Sequence, residues 1–192
     1  MTSYDTLLSL FSRPRRKVFI SYYKGDKVWL DQFVKQWGPD GEGVFTPKAL
    51  GVNDDDFVDS DDPKYVMSQI REKYLEDSSV TIILVGSCTH SRRYVDWEIK
   101  SSLRQVLGGL PNGLIGVLLP PRTSAYRPER FRLNQESGYA TYHFYPRSAD
   151  ELRGWIENAN DTRVNRARLI INSQDMMKYN AKCQICGIVH ST

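Results

Sequence analysis

No run in the sequence approaches the roughly 20 consecutive apolar residues that a membrane-spanning helix requires, so no membrane partner is expected. Cysteine is scarce: the chain holds 3, an odd number that does not build a disulfide framework. Charge of one sign is also missing, with 26 Lys and Arg against 23 Asp and Glu for a net +3. That balance argues against nucleic acid, which needs a basic face or stripe. Met1 to Arg16 lacks the continuous apolar core of a signal peptide, and a cytoplasmic location is the expectation. Glycine-rich phosphate cradles are absent: neither Gly-x4-Gly-Lys-Ser/Thr nor Gly-x-Gly-x-x-Gly follows a strand. The Gly-x-Ser-x-Gly of a nucleophile elbow is absent too. A phosphate-receiving domain would end strands one and three on aspartates, where Ser21 and Gly86 stand.

What is present begins with Lys17-Val18-Phe19-Ile20-Ser21-Tyr22, a β-rich apolar run that stops at the polar turn Tyr22-Tyr23-Lys24-Gly25-Asp26. Val28, Leu30 and Phe33 to Trp37 follow at helical spacing, and Gly38-Pro39 ends that helix. A buried strand, a polar turn and a helix open a parallel α/β sheet. Ligands of such sheets bind outside the carboxyl ends of the strands, which makes Ser21 to Asp26 a rim. Gly43-Val44-Phe45 reads as a short second strand, and residues 46–63 as a long polar loop. The loop's aspartates, Asp54, Asp55, Asp56, Asp59, Asp61 and Asp62, lack the glycine and terminal glutamate of a calcium-binding loop, so a solvated loop is expected.

Pro63 to Asp77 patterns as an amphipathic helix with Val66, Ile70 and Leu75 inward. Ser79 to Gly86 is apolar on both faces and must be a central strand. A helix over Ser91–Leu107 is stopped by Gly108-Gly109, and Leu114–Leu119 is a fourth strand closed by Pro120-Pro121. A variable polar segment, a short strand over Thr141–Tyr145 and a helix over Ala149–Asn158 complete the unit. The pattern predicts a doubly wound α/β fold with a five-stranded parallel sheet in the order 2-1-3-4-5. Ile20, Ile82, Leu84 and Val117 should lie in its core.

Residues 1–16 read as an N-terminal arm, with Leu7, Leu8 and Leu10 apolar and Arg13-Pro14-Arg15-Arg16 a solvated linker. Residues 17–160 form the domain, and 161–192 a C-terminal helical extension and tail, helical from Asp161 to Lys182. The arm and the extension either pack on the domain or build a homo-oligomer. In the tail, Cys183-x-x-Cys186 and His190 resemble three zinc ligands. A structural site takes four, the tail supplies no other, and no metal is expected. Cys88 with His90 or His143 is imaginable as a thiol–imidazole pair, beside the simpler reading of an incidental cysteine.

In the third helix Val95, Ile99, Leu103 and Val106 recur at helical spacing and should face the sheet. Glu98 lies one residue, roughly 100° of rotation, off that stripe and just beyond the rim of strand three. From spacing alone it is an exposed glutamate near a helix N-terminus, adding little to stability.

Three stretches together resemble the TIR superfamily: Lys17 to Tyr22, Val80 to Val85 with its glycine-serine turn, and Tyr94-Val-Asp-Trp-Glu98-Ile. The closer likeness is to the bacterial TIR-like branch, which includes the TIR-like subunits of the Thoeris anti-phage defence system. The resemblance implies a flavodoxin-like, TIR-like sheet and an enzyme that cleaves NAD, its substrate rather than a bound cofactor. In catalytic TIR domains a glutamate four residues after an aromatic performs the cleavage, and Tyr94 and Glu98 match that spacing. It further implies that Ser21, Tyr22, Asp26, Phe45, Ser87 and Tyr94 help to hold the dinucleotide. The product would be a cyclic ADP-ribose-type messenger acting on a separate effector protein. The rival class is a non-catalytic module whose same surfaces assemble with other TIR domains.

Overall fold

A strand that is apolar on both faces is stable only between two layers. The computed structural model sets two such strands side by side at the middle of the sheet: Val80–Val85 (β3) and Gly113–Leu118 (β4), buried along their whole lengths. The structure describes residues 15–49, 62–70, 72, 75–104 and 109–190. Lys17–Ser21 (β1) pairs with β3 and with Thr46–Ala49 (β2), while Ala140–His143 (β5) closes the far edge. The five strands are all parallel, in the order β2-β1-β3-β4-β5.

Helices cover both faces. Lys27–Trp37 (α1) and Ala149–Asn165 (α5) lie on one, through Leu30, Phe33, Trp37, Leu152 and Ile156. On the other lie Pro63–Ile70 (α2), Arg93–Ser102 (α3) and Glu129–Glu136 (α4), through Ile70, Val95, Ile99, Leu103 and Phe131. The predicted core residues Ile20, Ile82, Leu84 and Val117 are fully buried. Strand alternation sends Val18 and Ile20 toward α1 and α5, and Phe19 toward α2 and α3. Ser21 shares the face of Phe19. That parity decides what the site is made of.

The structure departs from the sequence reading at the ends of two helices, α2 spanning Pro63–Ile70 rather than reaching Asp77 and α3 ending at Ser102 rather than Leu107, and in three further places. β2 starts at Thr46, after Gly43 to Phe45, and its Pro47 is tolerated because β2 is an edge strand. The polar segment after β4 carries α4, whose inward residues include Arg130 and Asn134 beside Phe131, so no apolar stripe announces it. The helix expected over Asp161–Lys182 ends at Asn165, passes through a single 3-10 turn at Ala167–Leu169, and becomes an extended strap. The strap's polar groups bond to α3 and α4 instead of to a helix of their own. Met177 N–H donates to Asp96 Oδ2 at 2.9 Å, Trp97 Nε1 to Met177 O at 2.9 Å, and Lys100 Nζ to Gln174 O at 2.7 Å. Asn134 exchanges two bonds with the Ile171 backbone. Leu7, Leu8 and Leu10, Asp54 to Asp61, Val106 and the side chain of Val66 lie outside the described residues.

Ile82 is enclosed by β1, β4 and the helices of the first face, where removing three methyl-sized groups leaves a void that cannot collapse. Ile82→Ala is therefore expected to cost about 2–5 kcal/mol, measured by urea denaturation at unchanged slope. A midpoint equal to the parent's would show that β3 is not the centre of the core.

Candidate active site

β1 ends at Ser21 and its neighbour β3 ends at Val85, so the two carboxyl ends open together. After Ser21 the chain turns through a 3-10 segment, Lys24–Asp26, into α1. The turn brings the Asp26 carboxylate back against Gly86. A Cβ added at Gly86 would lie 2.2 Å from Asp26 Oδ2, so any side chain there displaces the aspartate.

Glu98 projects from α3 beneath this rim. Ser21 Oγ donates to its Oε2 at 2.5 Å. The carboxylate is not exposed as its helical position suggested: the residue is 6% accessible. The reason is the direction of the side chain: although one residue off the apolar stripe, Glu98 reaches between α3 and the end of β1 to meet Ser21, and is enclosed there. Burial pushes the Glu98 carboxyl up to about 8, and the bond from Ser21 only partly opposes it.

Around this pair stand charges the sequence did not signal. Arg92, 5% accessible, lies with its guanidinium 3.8 Å over the Tyr23 ring. None of its three side-chain nitrogens has a hydrogen-bond partner among the described residues. Buried cations are ordinarily paired, and the charge near Arg92 is the Asp26 carboxyl, which feels its coulombic pull. Arg122 Nε donates to Ser87 Oγ at 2.6 Å. Burial raises the Asp26 carboxyl, against the opposing pull of Arg122 and then Arg92. Single arginines in loops carry no periodicity, so no pattern in the sequence marks Arg92 or Arg122.

The structure thus brings Glu98 and Ser21 together, with Asp26 and Ser87 at the adjoining rim. Three other expected ligand residues are placed elsewhere. Tyr22 follows Ser21 on the opposite parity and packs on the α1 and α5 side of the sheet. Phe45 is wholly buried at the amino end of β2, its ring stacked on Phe33 at 5.7 Å; it is a core residue. Tyr94 is half-buried one turn before Glu98, with its ring edge-on to Trp97 at 5.1 Å, against the cluster of Phe19, Ile70 and Leu75. No thiol–imidazole pair forms with His90 or His143. His143 stacks on Trp155, and His90 Nε2 accepts the Gln184 N–H. Cys88 lies instead with Cys183, Cys186 and His190.

A doubly wound parallel sheet with one buried acid under the shared rim of β1 and β3 is the arrangement of a TIR-like domain. The family model described as "Thoeris protein ThsB, TIR-like domain" matches residues 19–124, over half of the 192, and the chain belongs to that family. The match spans β1 through β4 and includes Ser21, Asp26, Ser87, Arg92, Glu98 and Arg122. No curated protein matches the sequence.

The raised Glu98 carboxyl has a consequence for stability. A folded pKa of about 8 against an ordinary 4.5 means the folded state holds this proton more tightly. The stabilisation is complete below pH 4.5 and is lost as pH rises through 8. Glu98→Gln does not titrate, so it should gain on the parent across that window, by on the order of a few kcal/mol. Paired melting curves from acid to alkaline pH check this. A constant difference between the two proteins would mean Glu98 is not desolvated.

Proposed function

We propose that the protein is an NAD-processing enzyme that breaks the nicotinamide–ribose bond at Glu98. On this reading the ADP-ribosyl group becomes a cyclic ADP-ribose-type signal, and a separate effector of an anti-phage defence system responds to it. The observation that carries the reading is the buried Glu98 carboxyl, held by Ser21 at the carboxyl ends of β1 and β3. Membership of the Thoeris TIR-like family supports the defence context.

The chemistry suits one acid. When the ribose C1′–N bond of NAD breaks, its electron pair neutralises the pyridinium ring, and nicotinamide leaves without needing a proton. Two-carboxylate glycosidases differ because their leaving oxygen must be protonated. What NAD cleavage requires is a negative charge beside the oxocarbenium-like ribose, fixed in place before the bond breaks. A carboxylate in a dry site meets that need, and the cationic nicotinamide ring draws Glu98 toward its ionised form. Arg92 and Arg122 supply positive charge at the same rim for the diphosphate. Attack by water gives ADP-ribose and releases a proton. Attack by a ring nitrogen or hydroxyl of the same molecule gives the cyclic product.

The test is nicotinamide release by the purified protein, with and without lysate of infected cells, with product identification. Glu98→Gln should lose about 10²-fold or more in turnover while remaining folded. Because the carboxylate form is the active one, kcat/KM should rise with pH toward a plateau above about 8. Ser21→Ala removes the bond that holds the Glu98 pKa down, so its profile should move to higher pH. Full turnover by a folded Glu98→Gln protein would end the assignment. No turnover by the parent under any trigger would favour the interaction module.

A further inference from the structure

Four side chains that the proposed chemistry does not use meet beside the rim: Cys88, just past β3, and Cys183, Cys186 and His190 of the tail. Their ligating atoms all lie within 4.8 Å of one another. Cys183 Sγ is 3.3 Å from Cys88 Sγ, Cys88 Sγ is 3.7 Å from Cys186 Sγ, and Cys186 Sγ is 3.0 Å from His190 Nε2. A tetrahedron with zinc–sulfur bonds of about 2.3 Å and a zinc–nitrogen bond of about 2.0 Å sets its donors roughly 3.5–3.8 Å apart. One of the three spacings, 3.7 Å, falls in that range, and 3.3 and 3.0 Å lie a few tenths under it. Three thiols and an imidazole are also a donor set that structural zinc uses.

The surroundings are shaped for the same purpose. In the Cys183–Gly187 turn, Gly187 N–H donates to Cys183 O at 2.9 Å, and Gly187 adopts a φ of +72°, which glycine enters freely. Gln184 N–H donates to His90 Nε2 at 3.1 Å, tying the turn to the segment after β3. His190 turns Nε2 to the sulfurs and Nδ1 to the Tyr23 hydroxyl at 3.4 Å. A ligating histidine ordinarily has such an outer partner, which fixes its tautomer. Counting donors along the tail alone finds three; the fold supplies the missing one from Cys88, 95 positions before Cys183.

We propose that Cys88, Cys183, Cys186 and His190 bind one structural zinc ion, which fastens the tail to the rim of the candidate active site. Binding forms three zinc–sulfur bonds and one zinc–nitrogen bond, and the three thiol protons pass to solvent. With four protein ligands no position is left for substrate, so the ion holds structure and does no chemistry. His190 meets Tyr23, and Tyr23 carries the Arg92 guanidinium, so the ion's fixed point lies two contacts from the rim cation.

The full chain, expressed with zinc and purified under reductant without chelator, should contain about one zinc per molecule by elemental analysis. Replacement by Co(II) should give the visible bands of a tetrahedral site and sulfur-to-metal charge transfer. Cys186→Ser, at an exposed position that the fold tolerates, should reduce bound zinc to a trace and abolish the cobalt bands. His190→Cys preserves four donors and should retain the metal, with stronger charge transfer. Reduced protein that carries no zinc, gives no tetrahedral cobalt spectrum and titrates as three free thiols overturns the proposal. So does a metal-free protein in which Cys88 and Cys183 are joined as a disulfide. Neither readout involves NAD turnover, so failure here is distinct from failure of the enzymatic reading.

Discussion

The ion pair between Arg130 and Asp96 is the contact on which the packing of α3, α4 and the strap depends. Arg130 Nε meets Asp96 Oδ1 at 2.9 Å with both side chains almost fully buried. Two charges taken this far from water are stable only if their remaining hydrogen-bonding capacity is used. Here it is used by the strap: Arg130 also donates to Asn172 Oδ1, to Gln174 Oε1 and O, and to Asp175 O, while Asp96 accepts from Met177. One pair thereby fixes α4, α3 and the strap to each other. Remove either partner and the other is left as an uncompensated buried charge, a loss of about 3–5 kcal/mol. The strap would then keep its bonds to Trp97, Lys100 and Asn134 but lose the charged anchor between them.

Electrostatic cost and function run in the same direction at the rim. Asp26 Oδ2 and the Arg92 nitrogens are buried without hydrogen-bond partners among the described residues. A fold that selected only for stability would neutralise or pair such groups. Their persistence beside a desolvated acid is what a site built for a charged, polar ligand looks like. The polar cluster deeper in the same layer makes the contrast. There Thr81, Ser102 and Asn112 hydrogen-bond to one another, and Tyr139 donates to the Asn112 carbonyl, so those buried groups are satisfied.

Most of the fold was legible because it follows from burial periodicity. β3 and β4 read as central strands since apolar residues fill both faces with Thr81 the one polar exception, and the sheet order followed from the alternation of strands and helices. The stripe Val95, Ile99 and Leu103 oriented α3 correctly, and Glu98 with Ser21 fell where strand ends and helix spacing placed them. What escaped is what a linear pattern does not encode. α4 buries an arginine and an asparagine, so its face has no hydrophobic signature. The strap looked helical, yet its hydrogen bonds go to residues on α3 and α4, contacts with no local spacing. Phe45 and Tyr94 were read as ligand contacts from the family resemblance, and the structure packs the one ring on Phe33 and the other on Trp97. Glu98 was placed correctly in the chain and wrongly in its environment, since its partner Ser21 stands 77 positions away and meets it only in three dimensions.

The strap has a temporal consequence. Its bonds reach back 74 positions from Gln174 to Lys100 and 87 from Asn180 to Arg93. Contacts of that separation close late, because the intervening chain must already be arranged before they return any energy. At about 5–20 residues per second of synthesis, domains begin folding from their N-terminal side. The sheet from β1 to β4 can assemble while the outer flank of α3 still faces water. During that interval the polar groups of that flank, Asp96 and Lys100 among them, keep their water. The burial of the Arg130–Asp96 pair is therefore a late event in maturation, set by arrival of the strap and not by formation of the sheet.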